Sequence, residues 1–189
     1  LAAAILQSNN QILSMSDRGS SVPGLADWIE QLIAESTGKE GVGYLPIALP
    51  SLQSPSAGDG LRIAFHADDD ASIVVDATLA EHFILWEWAT ALMGIPMQIN
   101  IFDQPNVQEA KTSAIALLDE WKGEVPHFSP DAVFDDVDVF GANGISLHEV
   151  LKKYFTEADR YNAVMAYLSR GKNDSALPLQ DLISGLNGK

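Results

Sequence analysis

The sequence contains no cysteine. This absence excludes a disulfide scaffold, a thiolate nucleophile and a cysteine-based zinc or iron–sulfur site. Nothing in the composition calls for an oxidising compartment, and we therefore expect a cytoplasmic protein.

Basic residues are scarce. The chain has 11 Lys and Arg against 26 Asp and Glu, which gives a formal net charge of −15. Phosphate polymers are bound mainly through clustered cations, and a chain this acidic repels them. We therefore expect no nucleic acid partner.

Long hydrophobic runs are also missing. The longest apolar stretch, Phe83 to Met97, is interrupted by Glu87 and Thr90 and by a predicted turn at Gly94 to Pro96. A helix that crosses a bilayer needs about 20 consecutive apolar residues. We therefore expect no membrane partner.

The common sequence motifs of enzymes are absent as well. The chain has no Walker loop, no dinucleotide-binding fingerprint, no His-Glu-x-x-His pair and no Gly-x-Ser-x-Gly elbow. Its four histidines are isolated, and His66, which precedes three aspartates, is either a ligand of a hard metal ion or a solvated side chain. The sequence thus shows no cluster of ligands for a metal.

What the chain does have is enough apolar material for one core. With 189 residues, 47% of them apolar, it predicts a single domain over residues 1–189. The opening "LAAAILQSNN" has no initiating Met and no helix start signal. We therefore expect this domain to be a piece of a longer chain.

Short apolar runs alternate with helical periodicity. This alternation predicts an α/β fold, a three-layer αβα sandwich with a mainly parallel sheet. The predicted strands are Ile12–Met15, Tyr44–Leu49, Leu61–His66, Ile73–Val75, Met97–Phe102 and Ala163–Leu168. The predicted helices are Gly24–Ser36, Leu79–Met93, Pro105–Trp121, Ser146–Phe155 and Leu179–Leu186, and residues 123–144 are predicted to form a loop with one short strand.

The helix "LAEHFILWEWATALMG", residues 79–94, is apolar nearly all round. A helix without a polar face is typical of an element packed inside a larger assembly or at a subunit interface. We predict that this helix contacts another part of such an assembly.

The stretch "AESTGKEG", residues 34–41, gathers two carboxylates, two hydroxyls, two glycines and a lysine at the end of a predicted helix. A helix that stops at a glycine, with a cation near the negative end of its dipole, explains these residues without any function. A chemical site is the alternative.

The stretch "FDQPNVQEAK", residues 102–111, lies between a predicted strand and a helix that starts near Pro105. Open α/β sheets bind ligands outside the carboxyl ends of their strands. Asp103 is able to cap the helix, but capping does not explain Lys111. Seven residues at 100° each place Gln104 and Lys111 on one helix face, so both side chains are predicted to point toward one site.

These two stretches resemble the glucose-6-phosphate isomerase family. Six residues match a signature of that family in register, namely Gly94, Phe102, Asp103, Gln104, Val107 and Lys111. Three others depart from it, since Pro96, Asn106 and Gln108 replace the usual aliphatic residue, Gly and Glu. "ESTGK", residues 35–39, is similar to the family's "ESNGK", with Thr37 in place of Asn.

The amino-acid sequence of both stretches is most similar to the isomerase half of bifunctional transaldolase/glucose-6-phosphate isomerase proteins. The likeness runs from about Asp27 to Trp121 and returns faintly at "YNAVMAYLSR". It implies a sugar-isomerase-type (SIS) domain, the second of two such sandwiches. It also implies interconversion of glucose 6-phosphate and fructose 6-phosphate through a cis-enediol, without a cofactor.

The resemblance implies a role for each matching residue. Glu35 corresponds to the glutamate that moves the proton between adjacent carbons. Lys111 would lie near the ring oxygen or a hydroxyl, and Gln104 would orient the sugar or its phosphate through amide hydrogen bonds. Lys39 and Lys111 are the available cations for an anionic substrate.

Other parts of the family's site have no counterpart in this sequence. They are the Ser/Thr-rich phosphate loop, the arginine that steadies the enediolate and the ring-opening histidine. We therefore expect the chain to be inactive by itself and name a homodimer as a candidate assembly. The alternative functions are a sugar-phosphate-binding module of the same fold without catalysis and an interaction domain of unrelated function.

Overall fold

The computed structural model describes residues 1–53, 58–135, 137–142, 144 and 146–157. Backbone proximity divides the chain into two compact units, with residues 1–113 in the first and the second beginning at Ala114. The predicted strand Ala163–Leu168 and the predicted helix Leu179–Leu186 lie outside the described residues. The expectation of one domain stays a prediction.

The first unit contains a four-stranded parallel sheet. Its strands are β1 (Ile12–Ser16), β2 (Leu45–Ala48), β3 (Leu61–Ala64) and β4 (Ile73–Val74), in the order β2-β1-β3-β4. Four of the predicted strands are thus confirmed to within two residues at each end. The prediction of an α/β fold with a mainly parallel sheet is confirmed.

Three helices complete the first unit's core. They are α1 (Ala2–Gln7), α2 (Leu25–Thr37) and α3 (Leu79–Met97). Leu13 and Met15 alternate along β1 onto one face of the sheet, and their contacts with Ile63 and with all three helices form a single apolar cluster. Ser14 and Ser16 face the opposite side of the sheet and are also buried.

The helix α2 follows β1 through the loop Asp17–Gly24. One carboxylate oxygen of Asp17 accepts the backbone N–H of Gly24 at 2.7 Å and that of Ala26 at 3.3 Å. Donors at the start of a helix have no partners within the helix, and this carboxylate supplies one. The helix predicted over Gly24–Ser36 is confirmed to within one residue at each end.

The helix α3 is longer than the sequence predicts. It begins with a reciprocal capping box between Thr78 and Glu81 and continues through Gly94 and Pro96 to Met97. Pro96 lies in the last turn, where its missing N–H removes only one helical hydrogen bond. The predicted turn at Gly94 to Pro96 is therefore wrong.

The predicted strand Met97–Phe102 is also wrong. Gln98 ends α3 in the left-handed conformation, with φ of 58°, and the chain then folds back on the helix. A Cβ at Gly94 would lie 2.4 Å from Cγ2 of Ile101, so any larger residue at position 94 would have to displace Ile101. The apolar run was predicted as a strand because residues that pack on their own helix have the same composition as a buried strand.

One side of α3 packs in the core, where Trp86 and Met93 are fully buried. On another side, four large apolar residues are exposed: Ile84, Trp88, Leu92 and Ile95. The sequence predicted that this helix contacts a further part of an assembly, and that statement stays a prediction.

The remaining helices and strands follow α3. Helix α4 (Pro105–Trp121) has the predicted bounds. In the second unit the predicted loop carries two antiparallel strands, β5 (Ala132–Phe134) and β6 (Val137–Val139), and α5 (Leu147–Glu157) follows. Within the described ranges, no helix is long and apolar enough to cross a membrane.

Candidate functional site

The C-terminal end of α2 lies at the amino edge of the parallel sheet. The hydroxyl of Thr37 donates to the carbonyl of Ile33 at 2.8 Å and accepts the N–H of Tyr44 at 3.2 Å, just before β2 begins. This corrects the expectation of a site outside the carboxyl ends of the strands. That expectation required a strand ending at Phe102, and the chain has none there.

The side chains of Glu35 and Gln104 meet at this edge, although they are 69 residues apart in the sequence. The amide Nε2 of Gln104 donates to Oε2 of Glu35 at 2.8 Å. One turn earlier in α2, Nε2 of Gln31 donates to Oε1 of Glu35 at 3.2 Å. Two neutral amides thus fix the half-buried carboxylate in place.

The carboxylate of Glu35 is accessible from two hollows. The first hollow, of about 250 Å³, is lined by Ala34, Glu35, Gly38, Lys39, Gln104, Pro105, Asn106 and Val107. The second hollow, of about 240 Å³, is lined by Trp28, Gln31, Leu32, Glu35, Ser36 and Gln104. Since small-molecule sites usually measure about 300–1,000 Å³, each hollow by itself has the size of part of a site.

Lys39 reaches the first hollow, but its ammonium is bound by the protein. The residue is only 4% exposed. Its Nζ donates to the carbonyl oxygen of Asn100 at 2.9 Å, to Oδ1 of Asp103 at 3.0 Å and to the carbonyl oxygen of Asp103. An ammonium has three N–H donors, and these contacts use all of them.

Lys111 lies on the exposed surface of α4. Of the described residues, eight line the first hollow, and Lys111 is not among them. It follows Val107, which does line the hollow, by one helical turn, and residues at this spacing are neighbours on a helix surface. That Lys111 points toward the site stays a prediction.

Gln31 and Asn106 also belong to the site, although neither is among the site residues predicted from the sequence. Gln31 bonds Glu35 directly, and Nδ2 of Asn106 donates to the carbonyl of Gly38 at 3.4 Å. The four-residue spacing of Gln31 and Glu35 was visible in the sequence and indicated a side-chain pair on one helix face. Asn106 gave no such signal, because its partner lies 68 residues away.

The carboxyl edge of the sheet has a different character. The start of α2, where an anion would bind, is filled by the carboxylate of Asp17. His66 follows β3, and its ring lies against Gly19, where a Cβ would be 3.0 Å from Nε2. Among the described residues no three His, Asp or Glu side chains are grouped so as to hold a metal ion.

Near this edge, α3 buries polar atoms without hydrogen-bond partners. His82 is fully buried, and both of its ring nitrogens lack a partner, as do Nε1 of Trp86 and Oγ1 of Thr90. Burial lowers the pKa of His82, although the carboxylates of Asp76 and Glu81 oppose the shift. Burial therefore favours the neutral form of the imidazole.

A larger hollow, of about 610 Å³, also opens at the amino edge of the sheet. It is lined by Leu6, Asn9, Asn10, Gln11, Ile12, Tyr44 and Asp59. The side chain of Asn10 is bound to the carbonyl of Asp59 and to the N–H of Ile12. This hollow lacks a carboxylate fixed by side-chain donors, and the pair of hollows around Glu35 is therefore the stronger candidate.

Comparisons with protein-family models, with curated proteins and with solved structures gave no match to this chain. A carboxylate held in one position by two amides, reachable from two hollows, is suited to exchange a proton with a bound molecule.

Proposed function

We propose that this chain is the isomerase portion of a transaldolase/glucose-6-phosphate isomerase, a SIS domain that interconverts glucose 6-phosphate and fructose 6-phosphate. The observation that carries the proposal is the 2.8 Å contact between Gln104 and Glu35. The two stretches that resemble the isomerase family are far apart in the sequence, and their key side chains meet in one place. A three-layer sandwich and a cytoplasmic location belong to the same proposal.

In the proposed reaction, Glu35 acts as the base. Its carboxylate takes the proton from C2 of the open-chain aldose while the C1 oxygen takes up a proton from water, which gives a cis-enediol. The carboxylate then returns its proton to C1 while the C2 hydroxyl gives up its proton to water, which forms the ketose. Such positioned proton transfer contributes about 10²–10⁴-fold to a rate. Lys111 lies near the ring oxygen during ring opening.

Gln104 has two tasks in this scheme. One N–H of its amide holds Glu35, and the other N–H and the carbonyl oxygen remain to orient a hydroxyl of the sugar. The side chain lines both hollows, which gives it access to substrate on either side of the carboxylate. This is the substrate-binding role that the sequence predicted for Gln104.

A substrate-binding role for Lys39 stays a prediction that its three protein contacts do not support. The phosphate group then needs other cations or amides. This agrees with the expectation that the phosphate loop, the enediolate arginine and the ring-opening histidine lie outside this chain, and that the chain is inactive alone. A homodimer through the exposed apolar residues of α3 is part of the proposal.

The test is the substitution Glu35→Gln, which keeps the shape of the side chain and removes the base. It is made in the parent-length protein, that is, the full-length isomerase to which we propose this chain belongs. We expect the rate of fructose 6-phosphate isomerisation to fall by about 10²–10⁴-fold while substrate binding is retained. The matched control is Glu109→Gln, an exposed carboxylate on α4, which should leave the rate unchanged. Incorporation of solvent deuterium at C2 of the glucose 6-phosphate that forms reports the proton transfer directly.

Two outcomes would point to the alternatives. Binding of fructose 6-phosphate without turnover in either the parent-length protein or its variant would favour a sugar-phosphate-binding module. The absence of both binding and turnover would favour an interaction domain of unrelated function.

A further inference from the structure

Lys39 is the most deeply buried charged group of the candidate site. Its side chain is 2% exposed, whereas that of its ion-pair partner Asp103 is 54% exposed. Burying an ammonium is costly unless it is paired and fully hydrogen-bonded. Lys39 meets both conditions, since Asp103 pairs with it and three acceptors take its N–H groups.

The contacts of Lys39 fix the segment that carries Gln104. We define the Lys39 bridge as Lys39 together with Asn100 and Asp103. Two of its three hydrogen bonds end on backbone carbonyls, at the third and last residues of the segment 98–103. The bridge therefore holds the path of the main chain immediately before Gln104.

Other contacts of the same segment support this geometry. Ile101 packs on Gly94, and Oδ1 of Asn100 accepts the N–H of Phe102 at 3.1 Å. On the other side of Gln104, Asn106 bonds the carbonyl of Gly38, which precedes Lys39. The segment between α3 and α4 is thus tied to the end of α2 before and after Gln104.

We propose that Lys39 is a positioning residue: through the Lys39 bridge it sets the amide of Gln104 against the carboxylate of Glu35. The effect of this positioning on catalysis rests on the proposed function, but its effect on the contact between Gln104 and Glu35 does not. The exposed carboxylate of Asp103 neutralises the ammonium, while the two carbonyls receive the N–H donors that define the position of the main chain.

The test compares Lys39→Met, Asp103→Asn and the double variant. The side-chain amide resonance of Gln104 is followed by NMR and is assigned by its disappearance in Gln104→Met. The variant Glu35→Ala removes the acceptor and so shows where this resonance lies when the amide is released from Glu35. In Lys39→Met, we expect the Gln104 resonance to move to the released position. Lys152→Met, an exposed lysine on α5, is the matched control and should leave it unchanged.

The double variant separates positioning from simple stabilisation. In Asp103→Asn alone, the buried ammonium of Lys39 loses its charged partner. The double variant has no buried ammonium, so its free energy of unfolding should be higher than that of Asp103→Asn alone. The Gln104 resonance should stay at the released position, because the carbonyls of Asn100 and Asp103 still lack a donor. Recovery of both stability and the Gln104 contact would overturn the proposal.

Asp103→Asn keeps the proposal testable if Lys39→Met does not fold. It leaves both carbonyl contacts in place at an exposed position, and we expect the Gln104 resonance to remain near its normal position. A released amide in this variant, or an unchanged amide in folded Lys39→Met, contradicts the positioning role.

Turnover provides an independent readout in the parent-length protein. If the isomerase proposal holds, Lys39→Met should lower kcat by about 10²-fold with KM little changed, since a shift of about 1 Å at a catalytic group has this effect. If the Gln104 resonance responds as expected but the parent-length protein turns over no fructose 6-phosphate, the isomerase proposal fails and the positioning role of Lys39 stands.

Discussion

The two edges of the parallel sheet differ in how their polar groups are used. At the carboxyl edge, where open α/β sheets usually bind ligands, the carboxylate of Asp17 fills the start of α2. At the amino edge, the carboxylate of Glu35 is held by amides yet lines two hollows. The carboxylate of Asp17 is thus used to cap a helix, whereas that of Glu35 is the one to which we assign the proposed proton transfer.

The largest expected effect tests this difference directly. In the parent-length protein, Gln104→Leu should lower the rate of fructose 6-phosphate isomerisation by about 10²-fold, because Glu35 and the sugar both lose an orienting amide. Asp17→Asn, at the other edge, should leave the rate unchanged. A loss of turnover in Asp17→Asn and none in Gln104→Leu would reverse the roles of the two edges.

The next effect concerns the chain path that brings Gln104 to the amino edge. Gly94→Ala should lower the free energy of unfolding by about 1–3 kcal/mol, because the new methyl group overlaps the side chain of Ile101. Ile101→Ala in the same chain should restore much of the loss. Denaturant unfolding measures both, and an Ile101→Ala change that gives no recovery would mean that the overlap is not the cause.

A smaller effect is expected at the carboxyl edge. Asp17→Ala should lower the free energy of unfolding by about 1 kcal/mol, since the N–H groups of Gly24 and Ala26 lose their acceptor. Inorganic phosphate should then stabilise the variant more than the normal protein, because the start of α2 becomes open to an anion. Equal stabilisation of both proteins by phosphate would show that Asp17 does not close this edge.

The smallest effect is a pH dependence from His82. Its pKa is lowered in the folded protein below the ordinary value of 6.5, so the unfolded chain binds more protons between the two values. The free energy of unfolding should therefore be constant above about pH 7 and fall as pH drops below 6.5, by at most about 1.4 kcal/mol per pH unit.

His82→Leu should remove this pH dependence without a large loss of stability, because neither ring nitrogen has a partner to lose. The exposed His127→Ala is the matched control and should keep the normal dependence. The measurement is denaturant unfolding of all three proteins from pH 7.5 to 5. If the pH dependence of stability persists in His82→Leu, it arises from groups other than His82.

Local patterns predicted most of the first unit. The period of Leu25, Ile29 and Ile33 and the glycine after Thr37 fixed α2, and short apolar runs gave four strands. The same local patterns gave two wrong predictions after Met93, a turn at Gly94 to Pro96 and a strand over Met97–Phe102. Breaker residues at Gly94 and Pro96 indicated a turn, but a capped helix in contact with the core tolerates both near its end.

The candidate site was only partly visible in the sequence. The helix period predicted that Gln104 and Lys111 share one face, which stays a prediction for Lys111. The four-residue spacing of Gln31 and Glu35 is typical of a side-chain pair, but Gln31 was not among the predicted site residues. The partner of Lys39 was not predictable in this way. Asn100 and Asp103 lie 61 and 64 residues away, in a segment whose predicted strand does not exist.

The sequence by itself determined where most helices and strands of the first unit lie, because capping, glycine stops and apolar periods act between residues a few positions apart. Only the tertiary structure decided that Glu35 meets Gln104 at the amino edge and that the ammonium of Lys39 is bound inside the protein. Those contacts depend on the path of the main chain between α3 and α4. The packing of Ile101 on Gly94 and the hydrogen bonds that the buried ammonium of Lys39 requires set this path.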